Sequence, residues 1–337
     1  MGIVFTIVSK YIIVFLMALY TFSCYNVFLH KTENERKRIY FRQNLYMILI
    51  YSLSFCSLYI VKREIKYLLF YLCSLICIIF VIIFTKTIYK RSNRLIVNNM
   101  CMLLSIGFII ISRISFDKAL RQFVIAMLAL SISTCIPFII AKGPFFSMLK
   151  WTYVITGFIT LFLVFIFSVA TNGAKISITL FNVTFQPSEF VKIIFVFGIA
   201  SCFAKAKNFK DIVITTVIAI AHVIVLVISK DLGGAIILTV VYICVMYVAT
   251  CKFLYLLCGT LALGAGSVIG YKLFAHVRIR VNAFLRPFDT INDAGYQIAQ
   301  SLFAIGTGGF FGMGVGMGMP QSIPVVAADF IYSAISE

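Results

Sequence analysis

Long apolar runs alternate with short polar segments over the first 274 residues of the chain. Most of these runs approach the ~20 apolar residues that an α-helix needs to cross a membrane. The pattern therefore predicts about ten transmembrane helices, at residues 4–29, 45–61, 67–87, 97–113, 122–141, 150–170, 189–204, 211–229, 233–250 and 253–274.

The polar segments between these runs predict the orientation of the chain. Lys and Arg are concentrated in residues 31–43 and 86–94, and short loops rich in these residues stay in the cytoplasm. The basic residues 62–66 must then lie outside, which is a local conflict with this rule. Strict alternation of the helices brings three further polar segments to the extracytoplasmic side, where they predict one composite site. These segments are residues 171–189, 229–234 and 276–329.

Composition supports an all-α polytopic membrane protein with short interfacial helices in its long outer loop. The chain is 62% hydrophobic and only 12% charged, whereas soluble domains are about 25% charged. The net charge of +18 could indicate nucleic-acid binding. However, the cations cluster in short loops, and a cytoplasmic face beside anionic membrane lipid explains them without nucleic acid. The ten cysteines form no CxxC pair, and no protein metal site is predicted.

The longest polar segment, residues 276–331, is rich in glycine and contains Asp289, Asp293 and Asp329. These are three of the eleven acidic residues in the chain. The spacing of apolar residues from Ser301 to Phe311 predicts an interfacial helix. The glycines from Gly306 to Gly318 indicate either tight turns or a backbone that closely approaches a ligand or another helix.

Two acidic residues at the starts of predicted helices allow structural and functional interpretations. Glu189 follows Gln186, Pro187 and Ser188, a sequence typical of a helix start. A carboxylate at the membrane edge is also a functional candidate, so both interpretations stay open. Asp231 is predicted to cap the N-terminus of the next helix.

Several of these motifs together resemble the SEDS family, the RodA/FtsW/SpoVE-type peptidoglycan glycosyltransferases. The resemblance covers about residues 98–337, and residues 1–97 would then form three added helices. The family core has ten helices, of which the chain would supply about seven and the start of an eighth, so we expect it to be truncated at its C-terminus. The matching segments are residues 172–175, 185–189, 231–234, 280–287, 295–301, 305–314 and 329–331.

The resemblance implies glycan-strand polymerisation from lipid II at the extracytoplasmic face of the bacterial plasma membrane. In this inverting reaction, a sugar hydroxyl attacks an anomeric carbon and a lipid diphosphate leaves. A carboxylate base is needed, but the position of the family's catalytic Asp falls on Thr290. Asp289 is therefore the first candidate for the base, and Asp293 is the second.

The resemblance also implies residues that bind substrate or support the site. The predicted substrate-binding residues are Arg280, Lys175, Arg286, Gln297, Gln300 and Ser301. The predicted supporting residues are Glu189, Gln186, Ser188, Asp231 and Asp329. The leaving diphosphate requires positive charge, from these cations or from a divalent Mg or Mn ion.

Three functions stay open at this point. The first is polymerisation of lipid II onto a nascent glycan strand in cell elongation, division or sporulation, with a class B penicillin-binding protein (a transpeptidase) as partner. The second is a flippase or transporter for a lipid-linked sugar, which should carry polar residues through the membrane midplane. The third is a non-catalytic membrane scaffold for a transpeptidase, which the Thr290 departure and the expected truncation keep open.

Overall fold

A computed structural model describes residues 2–141, 149–167, 169–171, 174–180, 183–204, 206 and 208–337. Thirteen α-helices and three short strands form in these ranges. The helices are α1 (Gly2–Leu29), α2 (Glu33–Lys62), α3 (Ile65–Ile88), α4 (Arg94–Ile114), α5 (Phe116–Ala141), α6 (Lys150–Phe167), α7 (Pro187–Ala204), α8 (Phe209–Ile228), α9 (Leu232–Thr250), α10 (Phe253–Leu273), α11 (Ala275–Leu285), α12 (Tyr296–Gly308) and α13 (Ile331–Ser336).

The predicted membrane fold is confirmed. Within the described ranges, nine helices are long and apolar enough to span a membrane, and a tenth apolar helix, Lys150–Ile166, is shorter. The chain is therefore a multi-pass membrane protein. The largest departure is α2, which begins at Glu33 rather than near residue 45. Glu33 and Glu35 occupy its first turn, where acidic side chains favour the helix dipole, so the predicted loop is largely helical.

The polar stretch before α7 forms a small antiparallel sheet that the sequence analysis did not predict. Its strands are β1 (Val169–Thr171), β2 (Ala174–Leu180) and β3 (Val183–Phe185), in the order β1-β2-β3. Ala170 pairs with Lys175, and Ile178 pairs with Phe185. Alternating β-branched and polar residues along β2 are the sequence signal for this strand.

The chain divides into two compact units. Unit 1 comprises Met1–Ile132 and Ile279–Glu337, and unit 2 comprises Ser133–Arg278. Both boundaries fall inside helices, in α5 and in α11. The division at residue 97 that the sequence suggests stays a prediction.

The core of unit 1 is built on aromatic contacts between α2, α3 and α4. Tyr51 and Phe55 are each 1% exposed, and their ring centroids lie 4.8 Å apart. Phe70 of α3 packs edge-on against Phe108 of α4 at 5.9 Å. Such edge-to-face pairs stabilise a core beyond their buried area. This core holds the ends of α2 and α4 in place against the long polar segment.

Unit 2 has its own core, formed by α6 to α9. Leu161, Phe195, Leu226 and Leu238 are all at most 3% exposed. His222 of α8 is also buried, with its Nδ1 2.8 Å from the Ile218 carbonyl oxygen in the same helix. This bond within the helix, together with the aromatic neighbours Phe158 and Phe195, indicates a packing role for the histidine.

Candidate functional site

The candidate catalytic loop, residues 286–295, connects α11 to α12 and is built around Thr290. The Thr290 Oγ1 donates a hydrogen bond to the Arg286 carbonyl oxygen at 3.2 Å. The Thr290 carbonyl oxygen accepts hydrogen bonds from the backbone N–H groups of Asp293 and Gly295, both at 3.0 Å. Thr290, at the position where the family pattern has its Asp, therefore organises the turns that present its acidic neighbours.

Gly295 closes this loop at the start of α12. A Cβ atom at this position would clash with the Pro287 carbonyl oxygen and with the Thr290 Oγ1. Real Cβ atoms do not approach oxygens this closely, so only glycine fits without displacing the loop. Close packing inside the loop thus explains why the Gly295-Tyr296-Gln297 motif begins with glycine.

The acidic side chains of this loop face solvent. Asp289 and Asp293 are both exposed, and neither carboxylate accepts a hydrogen bond within the part of the chain that the structure describes. Such carboxylates can accept a proton from a bound hydroxyl group. The predicted substrate-binding residues Arg280, Arg286 and Gln297 are exposed as well.

Gln300, Ser301 and Asp329 lie in different surroundings. Gln300 is half-buried and lines a cavity of about 650 Å³ with Glu337. Ser301 is buried, and its Oγ lies 2.5 Å from the Oγ of Ser333, which joins α12 to α13. Asp329 is exposed just before α13. The substrate-binding roles of Gln300 and Ser301 and the supporting role of Asp329 stay predictions.

A buried ion pair that the sequence did not predict anchors this part of unit 1. The Nη2 of Arg113, at the end of α4, lies 3.1 Å from the Glu337 Oε2, and both side chains are only 6% exposed. The guanidinium also donates to the carbonyl oxygens of Ala334 at 2.9 Å and Met317 at 2.6 Å. One side chain therefore joins α4, the glycine-rich segment and α13. An arginine at the end of an apolar helix was the only sequence signal.

The glycine-rich loop, here residues 309–319, packs against the first two helices. The Lys10 Nζ donates to the Gly312 carbonyl oxygen at 3.1 Å, and the Tyr11 and Phe311 ring centroids lie 5.6 Å apart. A Cβ at Gly314 would lie 3.3 Å from the Thr6 Cγ2.

Further along the loop, a Cβ at Gly316 would lie 3.2 Å from the Val61 Cγ2 at the end of α2. Both Gly314 and Gly316 have positive φ angles, which glycine adopts without strain. These contacts confirm the interpretation that the backbone closely approaches other helices.

The remaining predicted residues belong to unit 2. Glu189, in the first turn of α7, pairs with Lys192 at 2.6 Å, and its side chain is exposed whereas that of Lys192 is half-buried. Ser188 is buried, and its Oγ has no hydrogen-bond partner within the described ranges. Gln186 directly precedes α7, and its carbonyl oxygen accepts the Glu189 N–H at 3.2 Å. Lys175 lies in β2.

The predicted helix cap at Asp231 is confirmed, since its Oδ1 accepts the Gly234 N–H at 2.9 Å at the start of α9. This bond satisfies one of the free N–H groups of the first helical turn. The role of Asp231 in supporting a site stays a prediction, as do the roles of Glu189, Gln186, Ser188 and Lys175.

Comparisons with known proteins agree with the motifs. The family model for FtsW, RodA and SpoVE, described as "Cell cycle protein", matches residues 93–337. The peptidoglycan glycosyltransferase RodA of Mycobacterium tuberculosis is 37% identical over 182 residues, which cover 49% of this chain and 39% of the relative. The probable peptidoglycan glycosyltransferase FtsW of Geobacter sp. is 34% identical over 192 residues, which cover 53% of this chain and 52% of the relative.

A chain in a solved peptidoglycan synthase complex aligns with a TM-score of 0.46 and 22% identity, over 60% of each chain. The aligned part of the chain thus spans between about two fifths and three fifths of the length of these three proteins.

Proposed function

The chain belongs to the FtsW/RodA/SpoVE family of cell cycle proteins, and on that premise we propose that it polymerises glycan strands from lipid II. The activity is a glycosyl transfer at the extracytoplasmic face of a bacterial plasma membrane. It contributes to wall synthesis in elongation, division or sporulation. The partners are lipid II, the nascent strand and a class B penicillin-binding protein that cross-links the product.

The proposed reaction needs one base and one cluster of positive charge. The sugar hydroxyl of one lipid-linked molecule attacks the anomeric carbon of the growing strand, and a new C–O bond forms on the face opposite the departing diphosphate. The hydroxyl proton passes to a carboxylate, which acts as general base. The bond between the anomeric carbon and the diphosphate breaks, and the lipid diphosphate leaves with the electron pair.

The exposed carboxylate of Asp289 is the observation that carries this proposal. It directly precedes Thr290, whose side chain and carbonyl oxygen are both engaged in the loop. Asp289 is offset from Thr290 by one residue, and a loop can shift by that much to bring its carboxylate to the position that the chemistry requires. Asp293 is offset by three residues, which is harder to accommodate. Asp289 is therefore proposed as the base, with Asp293 as the alternative.

Positive charge for the leaving group is proposed to come from Arg280 and Arg286. Arg280 lies in α11, and Arg286 is the first residue of the candidate catalytic loop. Both residues are exposed. In the part of the chain that the structure describes, no group of three or more His, Cys, Asp or Glu side chains could hold a metal ion. Mg²⁺ often binds one or two carboxylates together with substrate phosphates, and Asp293 fits that requirement. A divalent ion held in this way would neutralise charge on the diphosphate.

The test is lipid II polymerisation by the full-length protein in detergent, with the wild type and the Asp289→Asn variant. We expect product from the wild type and a loss of about 10²- to 10⁴-fold in rate for the variant, as for removal of a general base. Asp117→Asn is the matched control, because Asp117 is an exposed acid in the first turn of α5.

Two results would change the assignment. Normal activity of Asp289→Asn with loss in Asp293→Asn would move the base to Asp293. No product from the wild type, even with a transpeptidase partner present, would favour the scaffold function over the enzyme.

A further inference from the structure

The end of unit 1 opposite the glycine-rich loop carries a strongly basic pocket. It lies where α2 begins, α3 ends and α4 begins, and it has a volume of about 380 Å³. Five cationic side chains line it, with Glu33 as the only acid. The cations are Arg36, Lys37, Lys90, Arg91 and Arg94.

A second cavity of about 570 Å³ continues from this pocket along the same helices. The two cavities share four lining residues, two of which are the cations Lys37 and Arg94. The walls of the second cavity include the apolar side chains of Phe41, Ile82 and Val97. The site therefore combines a cationic mouth with a partly apolar extension into the predicted spans.

Helix geometry adds to the positive potential of the mouth. Two long helices start at the pocket, α2 at Glu33 and α4 at Arg94. The N-terminus of a helix carries about half a positive charge and presents free N–H groups, so it favours anions. The Asn93 side chain occupies one of these groups at α4, where its Oδ1 accepts the Leu95 N–H at 3.0 Å.

Protein carboxylates neutralise little of this charge. Glu33 lies 3.9 Å from Lys37, and their side chains are 90% and 54% exposed. Such a surface pair is worth about 0–1 kcal/mol. The other four cations of the mouth make no ion pair within the described ranges.

The second cavity also contains an unsatisfied acceptor. The Asn44 Oδ1 is buried and has no hydrogen-bond partner in the described part of the chain, and Asn44 lines this cavity. Buried polar atoms are nearly always paired. The second cavity is therefore not purely apolar beyond the cationic mouth.

We propose that this pocket binds the phosphate headgroup of an anionic phospholipid of the phosphatidylglycerol type. The phosphate lies among the cations at the starts of α2 and α4, and an acyl chain follows Phe41 and Ile82. Basic pockets between transmembrane helices are suited to such headgroups. The pocket lies in residues 33–98, mostly before the family match at 93–337, so it does not depend on the proposed glycosyl transfer.

The test compares two double variants of the full-length protein that remove the same charges. Lys90→Gln with Arg91→Gln removes one Lys and one Arg from the pocket. Lys31→Gln with Arg38→Gln removes one of each from the same basic face without touching the pocket lining. All four residues are exposed, so neither pair disturbs a core.

Binding is measured by native mass spectrometry in detergent, with phosphatidylglycerol, phosphatidylcholine and inorganic phosphate as probes. We expect selective binding of phosphatidylglycerol to the wild type and to the Lys31/Arg38 variant. The Lys90/Arg91 variant should bind roughly 30-fold more weakly, since each cation near an anionic lipid contributes about 1 kcal/mol.

Three results would overturn the proposal. Equal weakening in both double variants would show general surface attraction rather than a site. Equal binding of phosphatidylcholine would remove the anion requirement. Competition by inorganic phosphate at a concentration similar to that of the lipid would identify a site for free phosphate instead.

Discussion

The two ends of unit 1 use positive charge in opposite ways. At the glycine-rich loop, Lys10 and Arg113 are both bonded to protein oxygens. At the start of α2 and α4, six cations line two connected cavities beside a single acid, and within the described ranges only Arg36 and Lys37 contact protein oxygens, the His30 carbonyl and the Glu33 carboxylate. A cation surrounded by protein serves as a tether between segments, whereas a group of largely exposed cations with few protein partners attracts anions.

Burial explains this difference. The Arg113 side chain is 6% exposed, and a guanidinium removed from water needs hydrogen-bond partners to avoid a large desolvation cost. It obtains three acceptors, from Met317, Ala334 and Glu337. The Lys37 side chain is 54% exposed, so water can solvate it.

The largest effect should come from Arg113→Met. This change leaves the buried Glu337 carboxylate without its charged partner, which typically costs ~3–5 kcal/mol. We expect a clear fall in the apparent Tm of the full-length protein in detergent. Arg121→Met is the control, because Arg121 is exposed on α5 and its loss should change stability by less than ~0.5 kcal/mol.

Replacing both members of the pair sharpens this prediction. Arg113→Met combined with Glu337→Leu leaves no unpaired charge and should recover part of the lost stability. An unchanged Tm in the single Arg113→Met variant would mean that the pair does not tether the loop.

A smaller effect is expected for Lys10→Met. Lys10 holds the Gly312 carbonyl oxygen at 3.1 Å, and a hydrogen bond to a charged group contributes about 1.5–3 kcal/mol. The glycine-rich loop should open more often, with hydrogen exchange roughly tenfold faster at the Met313, Met317 and Met319 amides. These amides are hydrogen-bonded to Glu337 or Gly314.

Two variants check this prediction by hydrogen–deuterium exchange. Lys10→Arg keeps the charged donor and should preserve slow exchange. Thr21→Val removes only a bond within α1, from the Thr21 Oγ1 to the Met17 carbonyl oxygen, and should leave the loop unchanged. Unaltered exchange in Lys10→Met would show that α1 does not restrain the loop.

The smallest effect is expected at the basic end, for Glu33→Gln. The Glu33–Lys37 pair is exposed, and its loss together with that of a favourable helix-dipole interaction should change the free energy of unfolding by less than ~1 kcal/mol. A thermal-shift measurement in detergent checks this value. A shift as large as that of Arg113→Met would contradict the contrast between the two ends.

The helical part of the fold was predictable because it rests on local patterns. Apolar runs located the nine long apolar helices and the shorter tenth one within the described ranges, and Asp231 was recognised as a cap since its partner Gly234 is three residues away. The start of α2 was misplaced because its first turns are polar, although Glu33 and Glu35 favour a helix there. The strand β2 was missed because hydropathy alone does not separate strands from polar loops.

The site was only partly predictable, because local composition is visible in the sequence and long-range pairing is not. The acidic loop and the glycine-rich segment are visible as local composition. The Arg113–Glu337 pair joins residues that are 224 positions apart, and no periodicity within α4 indicates which residue will meet the guanidinium. The contact of Lys10 with Gly312 spans an even longer separation of 302 positions. Such pairings depend on tertiary packing.

The separation between Arg113 and Glu337 also has a consequence for how the protein is made. At a translation rate of about 5–20 residues per second, Arg113 leaves the ribosome roughly 10–50 s before the carboxylate that will neutralise it. During that interval its guanidinium must be hydrated or held by the insertion machinery. The ion pair can therefore form only after the whole segment from Arg113 to Glu337 has been synthesised, so it cannot contribute to the first steps of membrane insertion.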